Sequence, residues 1–177
     1  MSISPSGAAT GPLKPLDSCP VNAPRYVAVC GASEPDLEQR ELAREVGRRL
    51  AEAGAVVLCG GLGGVMEAVA EGAAAVGGTV VGILPGPDRA LANPHLTLAI
   101  ATGLGEARNA VLTAAADAVI AIGGGWGTLS EIALAQRIET PVVGLHDAFT
   151  SAVDIPRVER PEEAVRWALE QAERREV

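Results

Sequence analysis

The chain has 177 residues, of which 48% are apolar and only 2% aromatic, so aliphatic and small side chains must fill its core. Its formal net charge of −8 argues against a nucleic-acid-binding face, and no apolar run reaches the roughly 18 residues of a membrane helix. The N-terminus lacks the basic-then-apolar pattern of a secretion signal. We therefore expect a cytoplasmic protein with a flexible tail over residues 1–23 and one nucleotide-binding domain over residues 24–177.

Predicted strands and helices alternate along this domain. Strands are predicted over 25–31, 55–61, 79–86, 96–103, 117–125 and 140–146, with a short extended piece at 155–158. Helices are predicted over 35–53, 63–78, 105–115, 127–138 and 161–175. Pro35 is expected in the first turn of its helix, and Gly54 is expected to end that helix. The pattern predicts an α/β, single-domain, Rossmann-like fold, in which a doubly wound parallel sheet carries helices on both faces.

In such sheets, ligands bind beyond the carboxyl ends of the strands. That rule directs attention to the loops that follow the predicted strands, which are 31–35, 60–64, 85–95, 103–108 and 123–128. In the first of these loops, Gly31 and Ser33 are candidate ligand-binding residues.

The strongest signal is GGGWGTLSE, residues 123–131, which follows a strand and opens a helix. Backbone amides and the helix dipole attract phosphate at such a turn, and glycine lets the backbone come close to it. Gly124, Gly125, Gly127 and Thr128 are therefore candidate phosphate ligands. In the alternative interpretation the glycines only form a tight turn, and Thr128 and Glu131 form a capping box that satisfies the helix end.

A second turn of the same kind is GGLGGVMEA, residues 60–68, in which Gly60, Gly61 and Gly64 are candidate ligand-binding residues. It lacks the G-x-G-x-x-G spacing of a dinucleotide site, and it has no Walker lysine.

Arg108 falls near the start of a predicted helix on the ligand side of the sheet. It is a candidate clamp for a phosphate or carboxylate. The alternative is a solvated arginine or a salt bridge to Glu106.

Cysteines and histidines indicate no metal site. Cys19, Cys30 and Cys59 lack metal-ligand spacing, and Cys30 and Cys59 are expected to fill the core. His95 and His146 are interpreted as structural or solvated loop residues, because neither is suitably spaced from another ligand.

The motifs together resemble the LOG (Lonely Guy) superfamily of Rossmann-fold nucleotide-binding proteins, often labelled "possible lysine decarboxylase". Residues 123–131 match its signature PGGxGTxxE, except that Gly123 replaces the proline. Arg108 matches the arginine of an upstream arginine–lysine pair, whereas Asn109 replaces the lysine. The set GGVMEA, ILPG, ANP, ATGLGEARN and IGGGWGTLSEIALA is more similar to a sister branch related to a molybdenum cofactor carrier protein. The only lysine, Lys14, lies in the tail, so neither pyridoxal phosphate nor another cofactor is expected.

The resemblance implies two alternative functions. LOG enzymes hydrolyse cytokinin riboside 5′-monophosphates to a free base and ribose 5-phosphate. By resemblance, Glu131 would stabilise the ribosyl cation or align water, and Arg108 would hold the ligand and assist the departing base. The alternative is a non-catalytic carrier or sensor that binds a nucleotide or the phosphate of a molybdenum cofactor. We also expect a homodimer or larger homo-oligomer, with neither nucleic acid nor membrane as partner.

Overall fold

The computed structural model of the chain describes residues 24–146 and 153–175, so the predicted tail and Cys19 lie outside the described residues. Its strands are β1 Tyr26–Gly31, β2 Val56–Cys59, β3 Val80–Leu84, β4 Leu98–Ala101, β5 Ala118–Ile122, β6 Val142–Leu145 and β7 Arg157–Val158. They form one parallel sheet in the order β4-β3-β2-β1-β5-β6-β7. Within the described part of the chain, no helix is long and apolar enough to cross a membrane.

The helices are α1 Leu37–Glu52, α2 Val65–Ala74, α3 Arg108–Ala114, α4 Trp126–Arg137 and α5 Pro161–Arg175, and short 3-10 turns cover Arg89–Leu91 and Gly105–Ala107. Most elements are shorter than the sequence predicts. The start of α1 differs for a clear reason, because Asp36 accepts a hydrogen bond from the Gln39 amide and forms a capping box with it. Pro35 therefore precedes the helix, and the prediction that it lies in the first turn is wrong. Gly54 follows the end of α1 with φ +75°, as predicted.

Helices cover both faces of the sheet, which confirms the predicted doubly wound arrangement. Along β1, Val27 and Val29 face a core formed with α1, α2 and α5, whereas Ala28 and Cys30 face a second core formed with α3 and α4. This alternation is the period of two that a strand imposes on its side chains. Small residues bring the helices close together. A Cβ on Gly72 of α2, for example, would lie 1.9 Å from a backbone oxygen of α1.

The site region follows from this topology. Strands β1 and β5 are neighbours in the sheet, but the chain leaves β1 to form α1 on one face and leaves β5 to form α4 on the other. The loops at their carboxyl ends diverge and open a crevice, which is where ligands bind in such sheets.

Candidate functional site

A cavity of about 420 Å³ lies at the carboxyl ends of β1 and β5. Residues predicted from the sequence contribute much of its lining, namely Gly31, Ser33, Arg108, Gly125, Gly127, Thr128 and Glu131. Residues that sequence reasoning did not assign to a ligand site complete it, namely Cys30, Leu62, Met66, Glu106, Asn109 and Trp126. The predicted residues that do not line it are Gly60, Gly61, Gly64 and Gly124.

The N-terminus of α4 opens into this cavity without a side-chain cap. Gly125 is the N-cap residue, and no side-chain cap hydrogen bond is present there among the described residues. Thr128 is the third residue of the helix, so the interpretation of Thr128 and Glu131 as a capping box is wrong. Glu131 is instead one turn further into α4, where its side chain is buried and lines the cavity. The helix end therefore keeps its capacity to bind an anion.

Gly123 and Gly124, the two glycines before the N-cap residue, shape the turn. Gly123 has φ +54°, and a Cβ there would lie 2.5 Å from the Gln39 side-chain amide. Proline, whose φ is fixed near −65°, cannot adopt this conformation, so the loop could not follow this path with proline at position 123. Gly124 has φ +127°, and a Cβ there would clash with the side chain of Thr128. Gly124 thus lets the loop reach α4 without lining the cavity itself.

Arg108 is buried and carries unused hydrogen-bond donors. Only 6% of the residue is exposed, and its Nε and Nη1 atoms have no partner among the described residues. No ion pair involves Arg108 within 24–146 and 153–175, so both alternatives, a salt bridge to Glu106 and a solvated side chain, are wrong. The guanidinium lies over Gly60, where a Cβ would come 2.0 Å from Nη1. Gly60 therefore makes room for the arginine.

The rest of the second glycine turn packs against the loop after β1. A Cβ on Gly64 would lie 2.5 Å from the carbonyl oxygens of Ala32 and Ser33, and the Val65 amide donates to the Ala32 oxygen at 3.0 Å. Gly61 has φ +76° and lies against Leu84. In this turn Gly61 and Gly64 pack against other parts of the protein and do not line the cavity.

Glu131 has an unusual proton affinity for a carboxyl group. Burial raises its pKa to about 7, although the Arg108 charge and the neighbouring Cys30 thiol act in the opposite direction. Burial and the Glu131 charge also raise the pKa of Cys30 well above its usual value. At neutral pH the cavity therefore holds a neutral thiol beside a carboxyl that can both accept and release a proton.

The remaining candidates behave as ordinary structural residues. Cys30 and Cys59 are free and buried, as predicted, although Cys30 also lines the cavity. His95 and His146 do not contribute to that lining. Within the described ranges, no three histidine, cysteine or acidic side chains group as metal ligands.

The apolar residues of the cavity lining were not predicted from the sequence motifs. Leu62 lies within the second glycine turn and Met66 lies in the first turn of α2. The side chain of Trp126 at the first position of α4 is strongly exposed. A signal existed for Trp126, since it interrupts the glycine run at a predicted ligand loop. Aromatic faces of this kind stack on heterocyclic rings.

A model of the SLOG cluster4 family matches residues 24–173 of the chain. A curated relative from Mycobacterium tuberculosis is named cytokinin riboside 5′-monophosphate phosphoribohydrolase. It is 39% identical over 128 residues, which are 71% of this chain and 67% of that protein.

Two solved structures are similar over nearly their full length. The molybdenum cofactor binding protein of Rippkaea orientalis has a TM-score of 0.78 and 33% identity, covering 84% of this chain and 97% of that one. The molybdenum cofactor carrier protein of Chlamydomonas reinhardtii has a TM-score of 0.76 and 31% identity, covering 84% of this chain and 98% of that one.

Proposed function

The chain belongs to the SLOG cluster4 family, and we propose that its cavity binds a nucleoside 5′-monophosphate and hydrolyses the N-glycosidic bond. One observation carries this proposal. A buried arginine with free donors, Arg108, and a buried carboxyl, Glu131, line the same cavity as an uncapped helix N-terminus. The three features correspond to the three parts of the substrate: Arg108 to the base, Glu131 to the ribose and the helix N-terminus to the phosphate.

The phosphate binds at the N-terminus of α4. Gly125 and Gly127 present backbone without side chains, and the helix dipole favours a dianion at this end. Thr128 and Ser33 line the same cavity and supply hydroxyl groups. Because the formal net charge of the chain is −8, this local device, and not the overall field, must attract the anion.

The chemical step needs negative charge beside the ribose. As the bond to the base breaks, its electron pair leaves with the base and positive charge develops on the sugar. The Glu131 carboxylate stabilises that charge, and water adds to C1′ while its proton passes to the base. Arg108 donates to the departing base and thereby stabilises its electron pair. The products are the free base and ribose 5-phosphate.

Two findings support this assignment beyond the geometry. Arg108 and Glu131 are both retained at the positions of the LOG signature, and a relative that is 39% identical bears the name of such a hydrolase.

A carrier function is the second candidate. Asn109 and Gly123 replace the lysine and proline of the LOG signature, and two similar structures are of proteins named for binding or carrying the molybdenum cofactor. In that case the same phosphate site would hold the cofactor's phosphate, and Glu131 would have no chemical step to perform.

Incubation of the full chain with purine and pyrimidine nucleoside 5′-monophosphates separates the two functions. The hydrolase releases free base and ribose 5-phosphate in equal amounts. Saturable binding without any release of base supports the carrier and contradicts the hydrolase.

A further inference from the structure

Cys30 lies where the protein core meets the cavity. It is the last but one residue of β1, and its side chain belongs to the core on the face of the sheet that α3 and α4 cover. The residue is 2% exposed and lines the cavity together with Glu131 of α4. Its thiol is in hydrogen-bonding contact with the Glu131 carboxyl. The end of β1 therefore brings a sulfur atom to the carboxyl group on which the proposed reaction depends.

The thiol is the donor in this contact. Burial and the Glu131 charge raise the pKa of Cys30 well above its usual value, so the sulfur keeps its hydrogen at neutral pH. An ionised carboxylate can only accept a hydrogen bond, whereas a thiol has one hydrogen to donate. The contact consequently favours the charged form of Glu131 over the neutral form.

The other charges around Glu131 act through space. In the part of the chain that the structure describes, no ion pair involves its carboxyl. Arg108 of α3 favours the charged form, and Glu106, in the 3-10 turn before α3, favours the neutral form. Cys59 at the end of β2 stays neutral, because burial raises its pKa to about 11. Arg108 and Cys30 thus both offset the burial of Glu131, but Cys30 does so by direct contact and can also orient the carboxyl.

We propose that Cys30 is a positioning residue for Glu131, because its thiol donates a hydrogen bond to the carboxylate and holds it, in its charged form, toward the ribose of the ligand. This inference rests on the proposed hydrolase, in which Glu131 stabilises the ribosyl cation as a carboxylate. Burial raises the pKa of Glu131 to about 7, so the charged form is only partly populated at neutral pH. Cys30 thereby helps to set the pH below which the release of base declines.

The charge state of Glu131 can be measured without any substrate. An NMR titration of the isotope-labelled side-chain carboxyl carbons, assigned with Glu131→Gln, gives its midpoint in the ligand-free full chain. We expect Cys30→Ala to raise that midpoint by at least about half a pH unit, because a hydrogen bond to the charged form is lost. Cys30→Ser keeps a donor in nearly the same volume, so its midpoint should stay at or below that of the wild type.

Cys59→Ala is the matched control. It removes another free, buried thiol at the end of a strand, but Cys59 belongs to the core on the opposite face of the sheet and does not line the cavity. The Glu131 midpoint should therefore be that of the wild type. An equal rise in both alanine variants, or no rise in Cys30→Ala, would overturn the inference. If Cys30→Ala does not fold, Cys30→Val removes the donor while it fills the core, and the same rise is expected.

The pH profile of base release separates this inference from the proposed hydrolase. With purine nucleoside 5′-monophosphates, the acid limb of kcat/KM should move to higher pH in Cys30→Ala and return in Cys30→Ser. If the NMR midpoint rises in Cys30→Ala but no protein releases base, the positioning of Glu131 by Cys30 stands and the hydrolase fails. If base is released with the same acid limb by the wild type and Cys30→Ala, the hydrolase stands and the inference fails.

Discussion

Gly60 lies against Arg108, so adding a single methyl group at residue 60 should disturb the ligand site. A Cβ at Gly60 would lie 2.0 Å from Nη1 of Arg108, so Gly60→Ala must displace the guanidinium. The new methyl group would also meet the Met66 sulfur at 2.5 Å, and both groups are ends of flexible side chains. We therefore expect a folded protein with nucleotide affinity lowered by about tenfold or more.

Gly63→Ala is the matched control, because its new methyl group would meet only the end of Glu67 at 3.9 Å. Titration calorimetry and a melting curve on both variants check the prediction. An affinity equally unchanged in both would show that Arg108 does not contact the ligand.

Glu131 should make the stability of the ligand-free protein depend on pH. Its pKa is about 7 in the folded protein, against a usual value of 4.5. The folded state therefore binds this proton more tightly than the unfolded state. The resulting stabilisation is fully present below pH 4.5 and is lost as the pH rises through 7.

Glu131→Gln lacks this titration. The stability of the wild type relative to the variant should therefore fall by up to about 3 kcal/mol between about pH 5 and about pH 8. Denaturant unfolding of both proteins across that range measures the difference. Parallel pH profiles would mean that the carboxyl is solvated in the folded protein.

At the scale of elements, the N-terminus of α4 should account for recognition of the phosphate. It carries no side-chain cap, and it opens into the cavity beside Arg108. A nucleoside 5′-monophosphate should consequently bind at least about tenfold more tightly than the corresponding nucleoside, with a preference that weakens as salt is added. Equal affinity for the two compounds would place the phosphate outside the site.

The same element shows what motif reasoning could and could not reach. The alternation of strands with helices predicted the doubly wound sheet, and its buried parallel strands could be recognised as aliphatic runs. The motif alone could not decide between an anion site and a capping box at Thr128. Both require a helix that starts near this residue, and the choice depends on the exact first residue of the helix. Helix α4 begins at Trp126, which excludes the capping box.

Residues of the cavity that belong to different elements were harder to predict. The position of Arg108 over Gly60 joins α3 to the turn after β2, and the Asn109 side chain donates a hydrogen bond to Ser130 of α4. Such contacts depend on tertiary packing, which no local pattern encodes. Met66 and Leu62, which also line the cavity, were missed because their spacing is that of ordinary core residues.

At the scale of the whole molecule, one edge of the sheet is left exposed by residues 24–146 and 153–175. On the edge strand β4, Leu98 and Ile100 are 58% and 50% exposed, and they pair in register with Val81 and Ile83. These partners belong to the core on the α3 and α4 side, where Val111 of α3 is also exposed. We predict that a second copy of the chain covers this apolar face and forms a homodimer.

Light scattering of the wild type at micromolar concentration should give a mass above that of the 18.0 kDa chain. Ile100→Lys should shift the protein toward the monomer, whereas Val76→Lys, an exposed position beyond α2 on the other face, should not. A monomeric wild type would refute the predicted homodimer.

The rate at which Glu131→Gln releases free base, compared with the wild type, is the most direct test of the proposed hydrolase. Glutamine keeps nearly the volume of the side chain and one acceptor oxygen, replaces the other oxygen by an amide donor, and removes the charge that faces the developing ribosyl cation. We predict a folded variant that binds nucleoside monophosphate within a few-fold of the wild type and releases base about 100- to 1000-fold more slowly. Equal rates of release in the two proteins, or no release by the wild type, would contradict the account.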